Sequence, residues 1–520
     1  LIAEMAGEDL PVMPVDHPLT FFGPYNEFAG TGKDIGYPLM RDQGNSAYMR
    51  DTGDPTTAEG GQIEWGYYEE HNPRLCHPRD ILSKAEARLS PSQRDLDMEQ
   101  IMEPLERAIE LTPILGELGY RESHSFNGLL QVTSDGGPSC GESRTVKGLW
   151  YCVAIWVKDG PAYGKLIADW MTDGRTEIDH HAIDVTRFYP HQLTEEMIHE
   201  RCTETAKKIY NPAVHPREPF SLGRNVRRSP FHEREKELGG YFMELGGWER
   251  AHGYASNEHL LDKYGDRVPV RENEWDARHF WRVSNAEQLA MSEDAGIINL
   301  SHFAMLEVSG PDHVALAEWL CAAKIGGDAN VNKGIYTHFL DDEGMVRADL
   351  TVLRFEDRLR IVDGADAAPR DFHYVARVAE EKGFDVQLAD RTNEIVTVGI
   401  WGPNAREKLK TIVEDPAAIE KEALAFTQLR AGRIAGKDVT IFRISYVGEQ
   451  GFEIHVAYED APAVWAALES TGATPVGIET YANSRRMEKS LRLQNADLLT
   501  EYNLYEAGLS RPKVKEADFR

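Results

Sequence analysis

Asp349 sits in Val346-Arg-Ala-Asp-Leu-Thr-Val-Leu353, a run of Val, Leu and Thr that reads as a strand. A carboxylate on a buried strand costs several kcal/mol unless it is paired or hydrogen-bonded. The residues alone leave two readings open, an edge strand with Asp349 facing water or a buried acid held for chemistry. A second cluster, Tyr446, Glu449 and Glu453, lies around a tight turn marked by Gly448 and Gly451, with Phe452 and Ile454 opening the next strand. A buried carboxylate accepts two neighbouring N–H donors side by side, and a tyrosine ring covers a planar face. A hairpin with solvated carboxylates is the competing reading. Third comes a basic group, Arg485, Arg486, Lys489 and Arg492, in an expected helix. Steps of three and four place Arg485, Lys489 and Arg492 on one face, either to hold an anion or as a solvated face balanced by Glu488.

The elements that must position these groups are readable in outline. Residues 1 to about 75 read as strands and loops, and Leu96 to Leu118 as a helix cut by Pro104 and Pro113. Leu129–Val132 and Trp150–Val157 read as buried strands, with a helix over Tyr163–Met171 packed on them. Asp184 to about Leu238, studded with prolines, reads as a connector wrapped over the surface. Further on, an internal echo appears. Phe303 to Gly310-Pro311 and Ile395 to Gly402-Pro403 each run as a period-two strand into Gly-Pro and then a helix. Proline suits a first helical turn, because its missing N–H would be an orphan there. Two such units predict a pseudo-duplicated α+β domain.

The chain has 520 residues, 41% of them hydrophobic and 28% charged, consistent with about two to four globular domains. A net charge of -29 argues against nucleic-acid or anionic-membrane surfaces. No segment offers the roughly 18 consecutive apolar residues of a membrane span. The first ten residues carry Glu4, Glu8 and Asp9, unlike a targeting peptide, and begin at Leu, so further sequence is expected upstream. Five scattered cysteines without a C-x-x-C pair give no zinc site or disulfide framework and suit a reducing compartment.

Ser445-Tyr-Val-Gly-Glu-Gln-Gly-Phe-Glu-Ile-His455, together with Ala348-Asp-Leu-Thr-Val352, resembles the folate-binding domain of the aminomethyltransferase family, the T-protein of the glycine cleavage system. The resemblance implies that Asp349 lies by the pterin N10, with Thr351 at a neighbouring contact. It also implies that Glu453, Glu449 and Tyr446 hold the pterin, and that Arg486 of an R-x-E pattern belongs to the folate site. Phe126 to Gly141-Glu142, Arg227-Arg-Ser-Pro230 and Gly247-Trp-Glu-Arg250 resemble the flavin-linked dimethylglycine and sarcosine dehydrogenases, which carry such a folate domain. Within that likeness His17 and Tyr48 match the region supplying active-site groups near the flavin.

The resemblance therefore implies a mixed α/β chain. Its parts are a portion of an FAD-dependent amine-oxidising domain (1–180), a connector (181–238) and an aminomethyltransferase-type α+β folate domain (239–520) without the final barrel. The implied activity is oxidative N-demethylation of dimethylglycine or sarcosine by FAD, with one-carbon transfer to tetrahydrofolate. Oxygen or an electron-transfer flavoprotein would take the electrons, in a bacterial cytoplasm or a mitochondrial matrix. No metal, nucleic acid or membrane partner is expected. Departures from the pattern include the missing G-x-G-x-x-G fingerprint, Lys158-Asp159 in a usually Gly-rich segment, and Asn299 where an Asp is usual. They favour a piece cut at both ends. They also keep open a folate-dependent transferase or demethylase with a vestigial flavin half, and a non-enzymatic folate-binding protein.

Overall fold

The computed structural model describes residues 2–30, 37–53, 56, 60–87, 90–211 and 213–509. The chain divides into two units, Leu1–Lys165 with Pro190–Gly223, and Leu166–Tyr189 with Arg224–Arg520.

In the first unit β1 (Val12–Phe22), β2 (Met40–Asp42), β3 (Ala47–Asp51), β4 (Ile63–Tyr67), β5 (Gln93–Arg94) and β6 (Phe126–Thr133) form one sheet, in the order β2-β3-β4-β1-β6-β5. Trp65, Met49 and Phe22 point from it into a core closed by Ile101, Leu105 and Ala108 of the helix Met98–Leu111. That helix runs on through Pro104 rather than ending there. Its continuous apolar face, buried against the sheet, outweighs the one hydrogen bond that proline removes. Pro113 instead opens a short 3-10 turn.

A separate two-stranded sheet joins β7 (Ser139–Glu142) and β8 (Trp150–Val153). The strand expected to run to Val157 stops at Val153. Ala154 adopts φ 56°, its N–H is taken by the Gln131 side chain, and Val157 is exposed. The expected surface connector is also corrected. Within it Glu195–Lys208 is a helix, capped by the Thr194 hydroxyl, which buries Met197, Ile198, Cys202 and Ala206. Three of these, Ile198, Cys202 and Ala206, pack with Met13, Val15 and Val132 of β1 and β6.

In the second unit the hairpin β9 (Gly240–Leu245) and β10 (Trp248–Tyr254) precedes β11 (Gly296–Asn299). Thereafter one pattern occurs twice. β12 (Ala304–Ser309), a helix, β13 (Lys333–Leu340), β14 (Val346–Arg354), β15 (Arg358–Asp363), a helix and β16 (Gln387–Asp390) make the first copy. β17 (Ile395–Trp401), a helix, β18 (Leu429–Ile434), β19 (Lys437–Phe442), β20 (Gly451–Ala457), a helix and β21 (Thr474–Pro475) make the second. The sheet orders correspond, β13-β14-β15-β12-β16 and β18-β19-β20-β17-β11-β21, except that β11 is inserted beside β17. The duplication expected from the two Gly-Pro junctions is thus a full β-α-β-β-β-α-β repeat. Each proline precedes the helix, at the turn before His313 and before Ala405, rather than within its first turn.

Each sheet buries one face under its own helices, through Leu316, Leu320 and Val375 in the first copy and Leu409, Trp465 and Leu468 in the second. Leu353 and Val362 meet Leu429 and Phe442 in a further core joining the two copies.

Candidate functional site

Strands β13, β14, β15 and β20 border a cavity of 640 Å³, a size suited to a cofactor-scale ligand. Asp349, Thr351, Tyr446 and Glu453 all line it, as do Tyr336, Asp363, Tyr481 and Gln494.

β14 lies between β13 and β15, so Asp349 is not on an edge strand. Its side chain is only 12% exposed, and Oδ1 lacks a hydrogen-bond partner among the described residues. His338, its register partner on β13, places Nε2 3.4 Å from that oxygen and 3.1 Å from the Tyr336 hydroxyl. The hydroxyl donates to Asp349, and burial together with that negative charge pushes the Tyr336 phenol far above its usual range. With His338 Nε2–H donating to Tyr336 and Tyr336 donating to Asp349, both donors are used while Asp349 Oδ1 is left without one. The backbone N–H of Asp349 donates to Gln494 Oε1, whose amide in turn donates to Asp371. Asp371 is locked to Arg370 at 2.9 Å, both buried. Asp363, on the cavity wall, has its carboxyl pushed well up by burial and by neighbouring Asp371.

On β20 the even positions Phe452, Ile454 and Val456 enter the core of the second copy, so Glu453 and His455 face the other way. Glu453 is 6% exposed, with its Oε2 3.6 Å from His455 Nε2. Burial depresses His455, so a neutral imidazole stands beside Glu453. The tight turn before it needs Gly448 at φ 86°. Gly451 cannot carry a Cβ, which would lie 2.1 Å from the Ile400 carbonyl. The Tyr446 ring rests 5.0 Å from Tyr481, and its hydroxyl donates to the Arg492 carbonyl.

The remaining expected residues lie elsewhere. Glu449 is outside the lining, paired with Arg485 and 3.9 Å from Lys489. Arg486 reaches the carbonyls of Ala482 and Leu491 and the Asp497 carboxylate, bracketing the segment that forms the cavity's far wall. The expected basic helix face is corrected. A π-helical turn (Thr480–Arg485) leads to a helix that ends at Glu488, and Ser490 turns left-handed at φ 56°. Arg492 is thereby carried onto the cavity wall, its guanidinium bonded to the carbonyls of Ser490 and Ala507. Lys333, at the head of β13, also lines the cavity and makes no ion pair among the described residues.

His17 and Tyr48 belong to the first unit. Tyr48 on β3 lies across Gly66, where any Cβ would fall 2.2 Å from its ring. His17 on β1 stacks at 5.9 Å on Tyr48 and lies tilted at 4.6 Å from Tyr68, with Nε2 lacking a hydrogen-bond partner among the described residues. Burial, then the Arg41 charge, lowers its pKa to about 4, which leaves a neutral imidazole at neutral pH.

Sequence reasoning missed Tyr336, His338, Asp363 and Gln494. The alternation of Tyr336 and His338 along one strand was a visible signal, whereas the approach of Gln494 was not.

The family model for the GCVT N-terminal domain matches residues 231–514, more than half of the chain. The chain belongs to the GCVT family. A model for the FAD dependent oxidoreductase central domain matches residues 173–229. This GCVT-family chain is 29% identical over 482 residues to 4-methylaminobutanoate oxidase (formaldehyde-forming) of Paenarthrobacter nicotinovorans, covering 91% of the chain and 54% of the relative. It is 27% identical over 552 residues to mitochondrial sarcosine dehydrogenase of Mus musculus (98% and 56%). It is 25% identical over 517 residues to mitochondrial dimethylglycine dehydrogenase of Rattus norvegicus (98% and 57%). The chain thus spans about half the length of these curated relatives. Among the described residues no helix is long and apolar enough to cross a membrane.

The two blocks that resembled the dehydrogenase connector meet in space in this GCVT chain. Arg227 stacks 4.2 Å over Trp248, and Arg224 pairs with Glu249. Asn299 donates to Ser229 and to buried Glu235, a carboxyl raised by its burial, beside which a second acid would be unfavourable.

Proposed function

We propose that this chain serves the oxidative N-demethylation of a methylated glycine, dimethylglycine or sarcosine, and passes the one-carbon unit to tetrahydrofolate. The carrying observation is the convergence on one cavity of an under-bonded buried acid, Asp349, and a second buried acid, Glu453, beside Tyr446. A pterin edge offers an amino group and ring N–H donors, which Glu453 can accept side by side, while Tyr446 covers the ring face.

Flavin, when bound, supplies the acceptor for a hydride from the N-methyl carbon. That hydride leaves only from a neutral amine, so the neutral His17 beside Tyr48 suits a site that must not donate a proton to the amine nitrogen. The resulting iminium carbon is attacked by a folate nitrogen. Ring closure onto the second nitrogen expels the demethylated amine and releases the N10 proton, giving 5,10-methylenetetrahydrofolate. Asp349 accepts that proton or stabilises the positive charge that precedes its loss, with Tyr336 holding the carboxylate. Thr351 is a neighbouring wall contact. Glu449 and Arg486 act one layer back, Glu449 on Arg485 and Arg486 on the wall segment. The glutamate tail would meet Lys333 and exposed Phe426 of the lining, Lys333 being a cation with no ion pair among the described residues.

The test uses the product of the whole gene, mixed anaerobically with dimethylglycine or sarcosine, with and without tetrahydrofolate. Bleaching of a flavin band, with methylenetetrahydrofolate formed only when folate is present, is the expected result. Folate binding without a flavin band would overturn the oxidative half, and bleaching without folate product would overturn the transfer half.

A further inference from the structure

Cys140 on β7 and Cys152 on β8 are direct register partners across an antiparallel ladder. The hydrogen-bonding phase of that ladder can be read from its closed end, where the Ser143 N–H donates to the Leu149 carbonyl at 2.8 Å. Stepping back two residues at a time makes Gly141–Tyr151 and Ser139–Val153 the hydrogen-bonded pairs. Cys140–Cys152 therefore occupies a non-hydrogen-bonded position. Such pairs bring Cα atoms to about 4.5 Å with both side chains on one face. A disulfide spans Cα separations of roughly 4.4–6.8 Å, so no backbone movement is required.

The Tyr163 phenol is pushed up by burial first and then by Cys140, Asp159 and Cys152. The two cysteines are in the thiol state and differ sharply in access, Cys140 being fully buried and Cys152 exposed.

We propose that Cys140 and Cys152 form a reversible redox pair, in which exposed Cys152 meets the oxidant and buried Cys140 resolves it to a disulfide. With hydrogen peroxide as oxidant, the Cys152 thiol is converted to a sulfenic acid with release of one water. The Cys140 sulfur then displaces hydroxide from the sulfenic sulfur, forming the S–S bond and a second water. Two thiols lose two electrons and two protons, and one peroxide is reduced to two waters. Cys152 is exposed, and an exposed disulfide is among the more readily reduced, which makes the step reversible by a dithiol. The oxidised hairpin fixes the chain just before Ala154 and Trp156, which are held by Gln131, with the Trp156 ring stacked 5.3 Å from Tyr210.

The experiment treats the purified full chain with hydrogen peroxide, alkylates the remaining thiols under denaturing conditions and maps the digest by mass spectrometry without reduction. The expected result is a peptide joining Cys140 to Cys152, lighter by two hydrogens and reversed by dithiothreitol, with Cys76, Cys202 and Cys321 still alkylated. Cys152→Ser should keep all its remaining thiols reactive, and Cys140→Ser should leave Cys152 as an uncrosslinked oxyacid. Three results would each overturn the pair. They are sulfinic acid at Cys152 with Cys140 still alkylated in the unsubstituted chain, a Cys152–Cys152 link between two chains, or no change at either thiol.

Discussion

His338 and Asp349 stand opposite each other on neighbouring strands, with the imidazole nitrogen 3.4 Å from one carboxylate oxygen and 3.1 Å from the Tyr336 hydroxyl. This places a second-strand histidine behind the proposed proton acceptor. His338→Ala should slow folate-dependent transfer about tenfold, the worth of one hydrogen bond of roughly 1–1.5 kcal/mol, and leave folate affinity unchanged. His338→Gln, which keeps a donor, should recover part of the rate. Single-turnover kinetics beside equilibrium binding separates the two quantities, and a loss of affinity alone would assign His338 a structural role.

Asp349→Ala should reduce methylenetetrahydrofolate formation by about 10²–10⁴-fold, the range for a positioned acid or base. Amine oxidation, followed by flavin bleaching in the whole protein, should persist. Equal loss of both would mean that the two halves do not divide the work as proposed.

Lys333→Glu should weaken folates with long glutamate tails more than those with a single glutamate. The effect should be about fivefold at low salt and smaller as ionic strength rises, because the lysine is partly solvated. Calorimetric titration with the mono- and polyglutamates measures the difference. Equal weakening of both would place the tail elsewhere.

His17 predicts an acid sensitivity. Its folded pKa is about 4, below the value of about 6.5 expected in the unfolded chain. As pH falls from about 6.5 to about 4 the unfolded chain takes up this proton first, and stability drops by up to about 3 kcal/mol. Below about 4 both states are protonated and this loss stops growing. His17→Leu should flatten that part of the profile in denaturant titrations at a series of pH values. An unchanged slope would show that other groups dominate.

Gly399→Ala should destabilise the second unit by about 1–3 kcal/mol or more. The new methyl would fall 1.8 Å from the fully buried Trp401 ring, whose indole N–H is fixed on the Ile444 carbonyl. Thermal unfolding followed by near-ultraviolet circular dichroism gives the shift.

Much of the second unit was legible because strand periodicity and the two Gly-Pro junctions are local features. The strand around Asp349 and the turn before Glu453 follow from runs of β-branched residues and from Gly448 and Gly451. The partners of charged side chains were not legible. Glu449 and Arg485 are paired only because the end of a helix approaches the turn, and no spacing announces that. The basic face failed for a similar reason. One left-handed residue, Ser490, ends the helix after Glu488, and serine carries no glycine-like warning of it. In the first unit a length of connector became a packed helix, because burial of Ile198 and Cys202 outweighed a largely polar composition.

The wall segment Ser490–Gln494 belongs to neither sheet. It is held mainly by side-chain bonds, through the Tyr446 hydroxyl, the Arg486 and Arg492 guanidiniums, the Asp497 carboxylate and the Gln494 amide, rather than by a strand ladder. Segments of this kind open more easily than the strands around them. A ligand that needs the wall in place stabilises the closed form by RT ln(1 + [L]/Kd). Hydrogen exchange at the amides of Leu491 to Gln494 should therefore slow with occupancy while the sheet amides hold their rates, making this wall a gauge of cavity filling that needs no turnover.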